Sequence, residues 1–187
     1  MKNYDNIRVY GDLDSGVFVG DKGATLPDDL AEPSEHTELG WLSEDGINFD
    51  RSEEANSFRA HQGGTVVRRK KNSVEDSFTF QCLEETAEAM GLRYAGQKPV
   101  LTETDSGVAR ITVKDQTRDD ARSWVVDEFD GDVHTRYLIG VGHAGSGSLV
   151  YSNSAMTVYE FTVTIIGDYE ILTNSPGVVD GAEAPGA

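Results

Sequence analysis

An all-β domain with one flanking helix, an antiparallel β-sandwich or barrel with long loops, is what the sequence predicts, and three observations carry that reading. Apolar residues recur at every second position. Phe78, Phe80 and Cys82 alternate with Ser77, Thr79 and Gln81, and Tyr159, Phe161, Val163 and Ile165 alternate with Glu160, Thr162 and Thr164. Strands with one dry and one wet face are the mark of an antiparallel architecture. No proline falls between Pro99 and Pro176, so nothing there removes a ladder hydrogen bond. One stretch alone, 83–94, departs from period two and reads as helix.

In chain order, Gly16-Val17-Phe18-Val19 reads as a first strand, and Ile47 with Phe49 marks a second. Thr65-Val66-Val67 leads into a basic run, and 77–82 is the clearest strand of the first half. In 83–94, Leu83, Ala87, Met90 and Tyr94 fall at i, i+4, i+7 and i+11, one helical stripe, with Glu84 and Glu85 early and Arg93 late, both favourable to the helix dipole. Shorter alternations at Ile111/Val113, Trp124/Val126 and Tyr137/Ile139 precede the long one at 157–166. The polar stretches 20–38, 50–56, 114–121 and 142–154 read as connections, and long loops in a compact domain are usually functional. Residues 1–172 form one domain on this reading, and 173–187, rich in proline, glycine and alanine, form a disordered tail.

The chain of 187 residues is 37% hydrophobic, with 20 glycines, which suffices for a buried core. Its 33 acidic residues against 16 basic ones give a formal charge of −17. So negative a surface repels phosphate and anionic lipid, which argues against sequence-specific nucleic-acid binding and against membrane association. Cys82 is the only cysteine, so there is no intrachain disulfide and no thiolate cluster for zinc or iron–sulfur. Met1 to Tyr10 lack the apolar stretch of a secretory signal, and no apolar run approaches the length of a membrane span. Synthesis in a reducing cytoplasm is the expectation.

The motifs that could carry chemistry have simpler readings. Gly140-Val141-Gly142-His143-Ala144-Gly145 matches a dinucleotide fingerprint, but no helical period and no βαβ unit follow it, so it reads as a flexible loop between antiparallel strands. Asp12 and Asp14, or Asp127, Asp130 and Asp132 with His134, could be imagined around a hard cation, yet neither set has the EF-hand spacing. His36, His61, His134 and His143 are scattered, and no nucleophile elbow frames a serine. No catalytic residue, metal or cofactor is expected. Arg68-Arg69-Lys70-Lys71, the one basic run, alternates faces on a strand and is expected to pair with carboxylates of this chain or of a neighbouring subunit.

Three stretches taken in order resemble a known family. Gly16-Val17-Phe18-Val19 with Thr25-Leu26-Pro27 comes first, then Leu39-Gly40-Trp41-Leu42-Ser43-Glu44-Asp45-Gly46-Ile47. Arg59-Ala60-His61-Gln62-Gly63-Gly64-Thr65-Val66-Val67-Arg68 and Phe78-Thr79-Phe80-Gln81 follow. The order resembles the major tail (tail tube) proteins of long-tailed, siphovirus-type phages, especially of actinobacterial hosts, and covers about residues 16–95. His61 stands where that family often has tryptophan.

The resemblance implies a structural virion protein rather than an enzyme, with hexameric rings stacked into a tube for genome delivery. Its partners would be copies of itself, the tape measure protein and genomic DNA in the lumen, and tail terminator and baseplate proteins at the ends. Interface candidates on this reading are Glu44, Asp45, Arg59, Gln62, Gly63, Gly64, Arg68 and Arg69. Lumen-facing candidates are Glu160, Thr162 and Thr164. A ring-forming terminator or baseplate component, and a monomeric acidic, calcium-dependent binding module, are the competing readings.

Overall fold

In the computed structural model, residues 2–102, 107–114 and 120–184 are described. The strands are β1 (Gly16–Asp21), β2 (Thr37–Glu38), β3 (Asn48–Arg59), β4 (Val66–Cys82), β5 (Val100–Leu101), β6 (Ala109–Arg110), β7 (Ala121–Asp130), β8 (Val133–Ser146), β9 (Tyr159–Ile165) and β10 (Tyr169–Thr173). Among the described residues, helices are confined to a 3-10 turn at Tyr4–Asn6, α1 (Ala87–Arg93) and the single turn α2 (Pro176–Val179). Eight strands form one antiparallel sheet in the order β2-β1-β7-β8-β9-β4-β3, with β10 beside β8, while β5 and β6 make a separate ribbon. The all-β class with one flanking helix therefore holds. Its two layers come from a single sheet folded over its own core.

Aromatic packing places the fold-over. Trp124 on β7 meets Phe78 and Phe80 on β4 edge-on, with ring centroids 5.8 and 6.2 Å apart. These strands are not neighbours in the ladder, so the sheet curls until β7 faces β4. Between them lie Val17, Val19, Val126 and Ile139 from one half and Phe161, Val163 and Ile165 from the other, all buried. Each such side chain contributes about 1.5–3 kcal/mol of burial. Cys82 sits in this core, and burial pushes its thiol up to about 12.

β8 explains how one sheet does this. Its first half pairs with β10 (Tyr137↔Ile171) and its second half with β9 (Ala144↔Val163), on the same edge and in the same direction. The Ile166 amide donates to the Val141 carbonyl at 2.9 Å across the break, and Gly167, at φ +83°, supplies the left-handed turn there. β9 thus bends away from β10 to take β4 on its other side.

Several sequence expectations are corrected. The GxGxxG stretch lies wholly within β8, not in a loop. Gly142 is there because Trp124 packs on it. An added Cβ would come 2.8 Å from Val163 and 2.9 Å from Trp124, whose Nε1 donates to the Gly142 carbonyl. The polar stretch 50–56 is the middle of β3 rather than a connection. Ile111 and Val113, expected on a strand, are not in one, the strand there being only Ala109–Arg110, and most of 114–121 lies outside the described residues.

The helix is shorter than 83–94 because the Leu83 amide still donates to Trp41 across an extended pair. Thr86 then caps α1, its Oγ1 accepting from the Ala89 amide at 3.1 Å. The buried face is consequently Ala89, Gly91 and Leu92, whereas Ala87 is exposed. Glu84 and Glu85 precede the helix: Glu84 accepts from the Trp41 amide and Glu85 from the Tyr159 hydroxyl.

A buried polar cluster holds the connection between β1 and β2 against the sheet. Arg136, 2% exposed, donates from Nε and Nη2 to both Asp127 oxygens at 2.6 Å, and from Nη1 to the carbonyls of Asp29 and Ala31. His134 Nε2 lies 3.0 Å from the same carboxylate. Asp127, imagined from sequence beside a cation, is therefore committed to a guanidinium.

Candidate functional site: assembly surfaces

The hairpin β3–β4 runs far past the core. Only Ser77–Cys82 of β4 pair with β9, so from Arg51/Asp76 outward the hairpin is a two-stranded ribbon with both outer edges unpaired among the described residues. Nearly every residue from 50 to 76 is exposed, on both faces. Phe58, Val66, Val67 and Val74 are among them, at 51%, 46%, 64% and 41% exposure. A lone two-stranded ribbon is marginally stable in water, and unpaired edges invite further strands.

Six of the eight interface candidates stand on this arm. Arg59, Arg68 and Arg69 lie along it, and Gln62, Gly63 and Gly64 form its tip. The tip closes with the Ala60 amide donating to the Thr65 carbonyl at 2.8 Å. Gly63 and Gly64 have φ +69° and +65°, the left-handed region that favours glycine, and so make the turn. Arg59 Nη1 donates to the Gly64 carbonyl at 3.0 Å, so this arginine braces the tip.

The register sorts the arm into two faces. Ser57/Arg69 and Ala55/Lys71 lie on the side continuous with the core, and Phe58/Arg68 and Asn56/Lys70 on the other. A bulge at Asn72 and another at Val67 twist the ribbon. Lys71 pairs with Glu53 at 2.6 Å, as expected of the basic run. Arg68, Arg69 and Lys70 make no ion pair among the described residues.

Glu44 and Asp45 are not at the tip. They occupy an exposed turn at the arm's base, where the Gly46 amide donates to the Ser43 carbonyl and Ser43 is tied to Gln81. Between turn and tip lie the 12 residues of β3, roughly 40 Å at strand rise.

Beside this turn opens a groove of about 860 Å³, lined by the segments 10–15, 38–47 and 84–86 with Glu128. Asp12, Glu38, Glu44, Glu84 and Glu128 face it, and among the described residues no basic one does. Trp41 and Leu13, 62% and 77% exposed, supply its apolar part. Burial raises the Glu128 carboxyl above its ordinary value, the Ser15 hydroxyl opposing and the Asp127 charge adding to the rise. Sequence reading missed this groove because its walls come from four separated segments.

Glu160, Thr162 and Thr164 lie together on the outer face of β9. Thr162 is 3.1 Å from Thr79 Oγ1, Gln81 Nε2 donates to Glu160 at 3.3 Å, and Thr164 stands opposite Ser77. This polar face runs without a break into the Phe58/Arg68 side of the arm.

The nearest approach to a catalytic pair is Ser123, whose Oγ lies 2.5 Å from His36 Nε2. Both are buried, burial holds the imidazole below its ordinary value, and the groove does not reach them. Among the described residues, no group of three or more His, Cys, Asp or Glu side chains could hold a metal ion, and no helix is long and apolar enough to cross a membrane.

Comparison with known proteins adds the following. No curated protein matches the chain. Among solved structures it is similar to a chain in the tail of an empty GTA particle with C6 symmetry, at 11% identity and TM-score 0.45, over 92% of this chain and 99% of that one. It is also similar to a chain in the virion of a native gene transfer agent particle, at 11% identity and TM-score 0.43, over 88% and 99%. A family model described as phage tail tube protein matches residues 2–155, most of the sequence, and the chain therefore belongs to the phage tail tube protein family.

Proposed function

We propose that this tail tube protein self-assembles into hexameric rings that stack into the tube, and that the β3–β4 arm makes contacts between copies. The observation that carries this reading is the arm itself. A ribbon exposed on both faces, with two bare edges and four exposed apolar side chains, is incomplete until other chains cover it. Arg59, Gln62, Gly63, Gly64, Arg68 and Arg69 would then lie at subunit contacts, as would Glu44 and Asp45 at the arm's base.

The outer face of β9 with Glu160, Thr162 and Thr164 would turn to the bore. Six copies at −17 each carry −102 per ring. Acidic walls repel phosphate, so DNA slides past without the adhesion that counterion release at lysines would bring. The role is geometric and electrostatic, with no reaction catalysed; the tape measure protein and genomic DNA would occupy the lumen, and terminator and baseplate proteins would cap the ends. Assembly would take place in the host cytoplasm and the finished protein would reside in the virion tail.

Negative-stain microscopy of the purified chain at high concentration tests this. Stacked tubes are expected from the intact protein, and folded monomers from a variant with 56–70 replaced by Asn-Gly. Featureless monomers from the intact protein, or normal tubes from the trimmed one, would end the proposal.

A further inference from the structure

Charge is divided along this molecule in a way the net value hides. From Ala55 to Lys71 the arm carries five basic residues, Arg59, Arg68, Arg69, Lys70 and Lys71, and no acid. That leaves 11 bases against 33 acids in the rest of the chain. At the other end of the same hairpin, the groove presents five carboxylates and no base among the described residues.

We propose that this acidic groove is the socket for the basic end of the arm of a second copy. The inference rests on the self-assembly reading and names the contact through which it occurs. The occupant cannot be the chain's own arm. β3 leaves the groove at Asn48, next to Ile47 on its wall, and runs extended to Arg59 under a continuous ladder with β4. Arg68 and Arg69 are thereby held roughly 30 Å from the groove acids of their own subunit.

Both halves are complementary in more than sign. Phe58 and Val67 stand exposed beside Arg68 and Arg69 on the arm, and Trp41 and Leu13 stand exposed beside Glu38 and Glu44 in the groove. Apolar burial would supply grip, while the charges fix orientation and speed encounter. Among the described residues Arg68, Arg69 and Lys70 make no ion pair, and Glu128 is partly desolvated beside the Asp127 charge. A tip-to-base contact is head-to-tail, the kind that propagates from copy to copy and closes into a ring or extends as a filament.

Charge exchange tests it in the full-length chain. One variant reverses the arm (Arg68→Glu, Arg69→Glu, Lys70→Glu) and another the groove (Glu38→Lys, Glu44→Lys). All five positions are exposed, and the urea midpoint of each variant checks that the fold is kept. Sedimentation and negative stain measure the concentration at which each assembles. Each variant alone should need at least about tenfold more protein than the wild type, and an equimolar mixture should assemble near the wild-type concentration, because each then offers what the other lacks.

The inference is overturned if either variant assembles like the wild type, or if the mixture is no better than its components while the wild type forms tubes; self-assembly would then stand without this contact. Failure of the wild type to form rings or tubes at any concentration would instead remove the assembly reading beneath it. An arm-reversed variant that assembles normally but loses retention of a duplex DNA fragment that the wild type retains would make the arm a nucleic-acid contact, and overturn the socket.

Discussion

Arg136→Met should unfasten both the core and the connection that crosses it. The guanidinium makes two 2.6 Å bonds to Asp127 and two more to the carbonyls of Asp29 and Ala31, and both members of the ion pair are about 2% exposed. Removing one partner of a buried pair strands the other charge, which costs about 3–5 kcal/mol. His134, 3.0 Å from the same carboxylate, does not replace four donated bonds. Domains of this size have only about 5–15 kcal/mol in hand, and each kcal/mol is worth roughly 2–4 °C. Urea denaturation should therefore show a loss of about 3–5 kcal/mol, with a melting point lower by roughly 10 °C or more. Native-state hydrogen exchange should quicken in the 22–36 segment beyond the global change. The apolar pair Asp127→Leu with Arg136→Met should recover at least half of the loss, since nothing charged is left stranded. A single variant losing less than about 1 kcal/mol, or a double variant no better than the single, would mean the cluster is not what holds this connection.

Two further outcomes are expected. Gly142→Ala should cost about 1–3 kcal/mol in the same urea assay, because its Cβ meets Val163 at 2.8 Å and Trp124 at 2.9 Å in a closed core, whereas Gly140→Ala, with nothing within 4 Å, should cost far less. Glu128 has a folded-state carboxyl raised above its unfolded value, so its contribution is present at acid pH and lost as pH rises through the folded value. Glu128→Gln should accordingly stabilise the protein at pH 7, with the gain disappearing near pH 4; an equal gain at both would rule out ionisation as the cause.

The strands were legible where one face is dry. In 77–82 and 159–165 alternation marks both the strand and its buried side, since a pleat sends successive residues to opposite faces. The arm was hidden for the complementary reason. Residues 50–56 are polar on both faces, which on an isolated chain is indistinguishable from a loop; they are a strand because β4 supplies a ladder partner, and they stay polar because the subunit puts nothing against them. The GxGxxG stretch misled similarly, since glycines that admit Trp124 look the same in one dimension as glycines that free a loop.

Amino-acid order alone determined the all-β class and the acidic excess, because each depends on residue types and their near neighbours. Tertiary structure decided what those features face. It folded one sheet over Trp124, set five cations on the outer part of a ribbon with only Lys71 of them ion-paired among the described residues, and gathered five carboxylates from segments as distant as Asp12 and Glu128 at its base. Distance along the chain carries no information about such meetings, which are set by strand order and the length of the ladder.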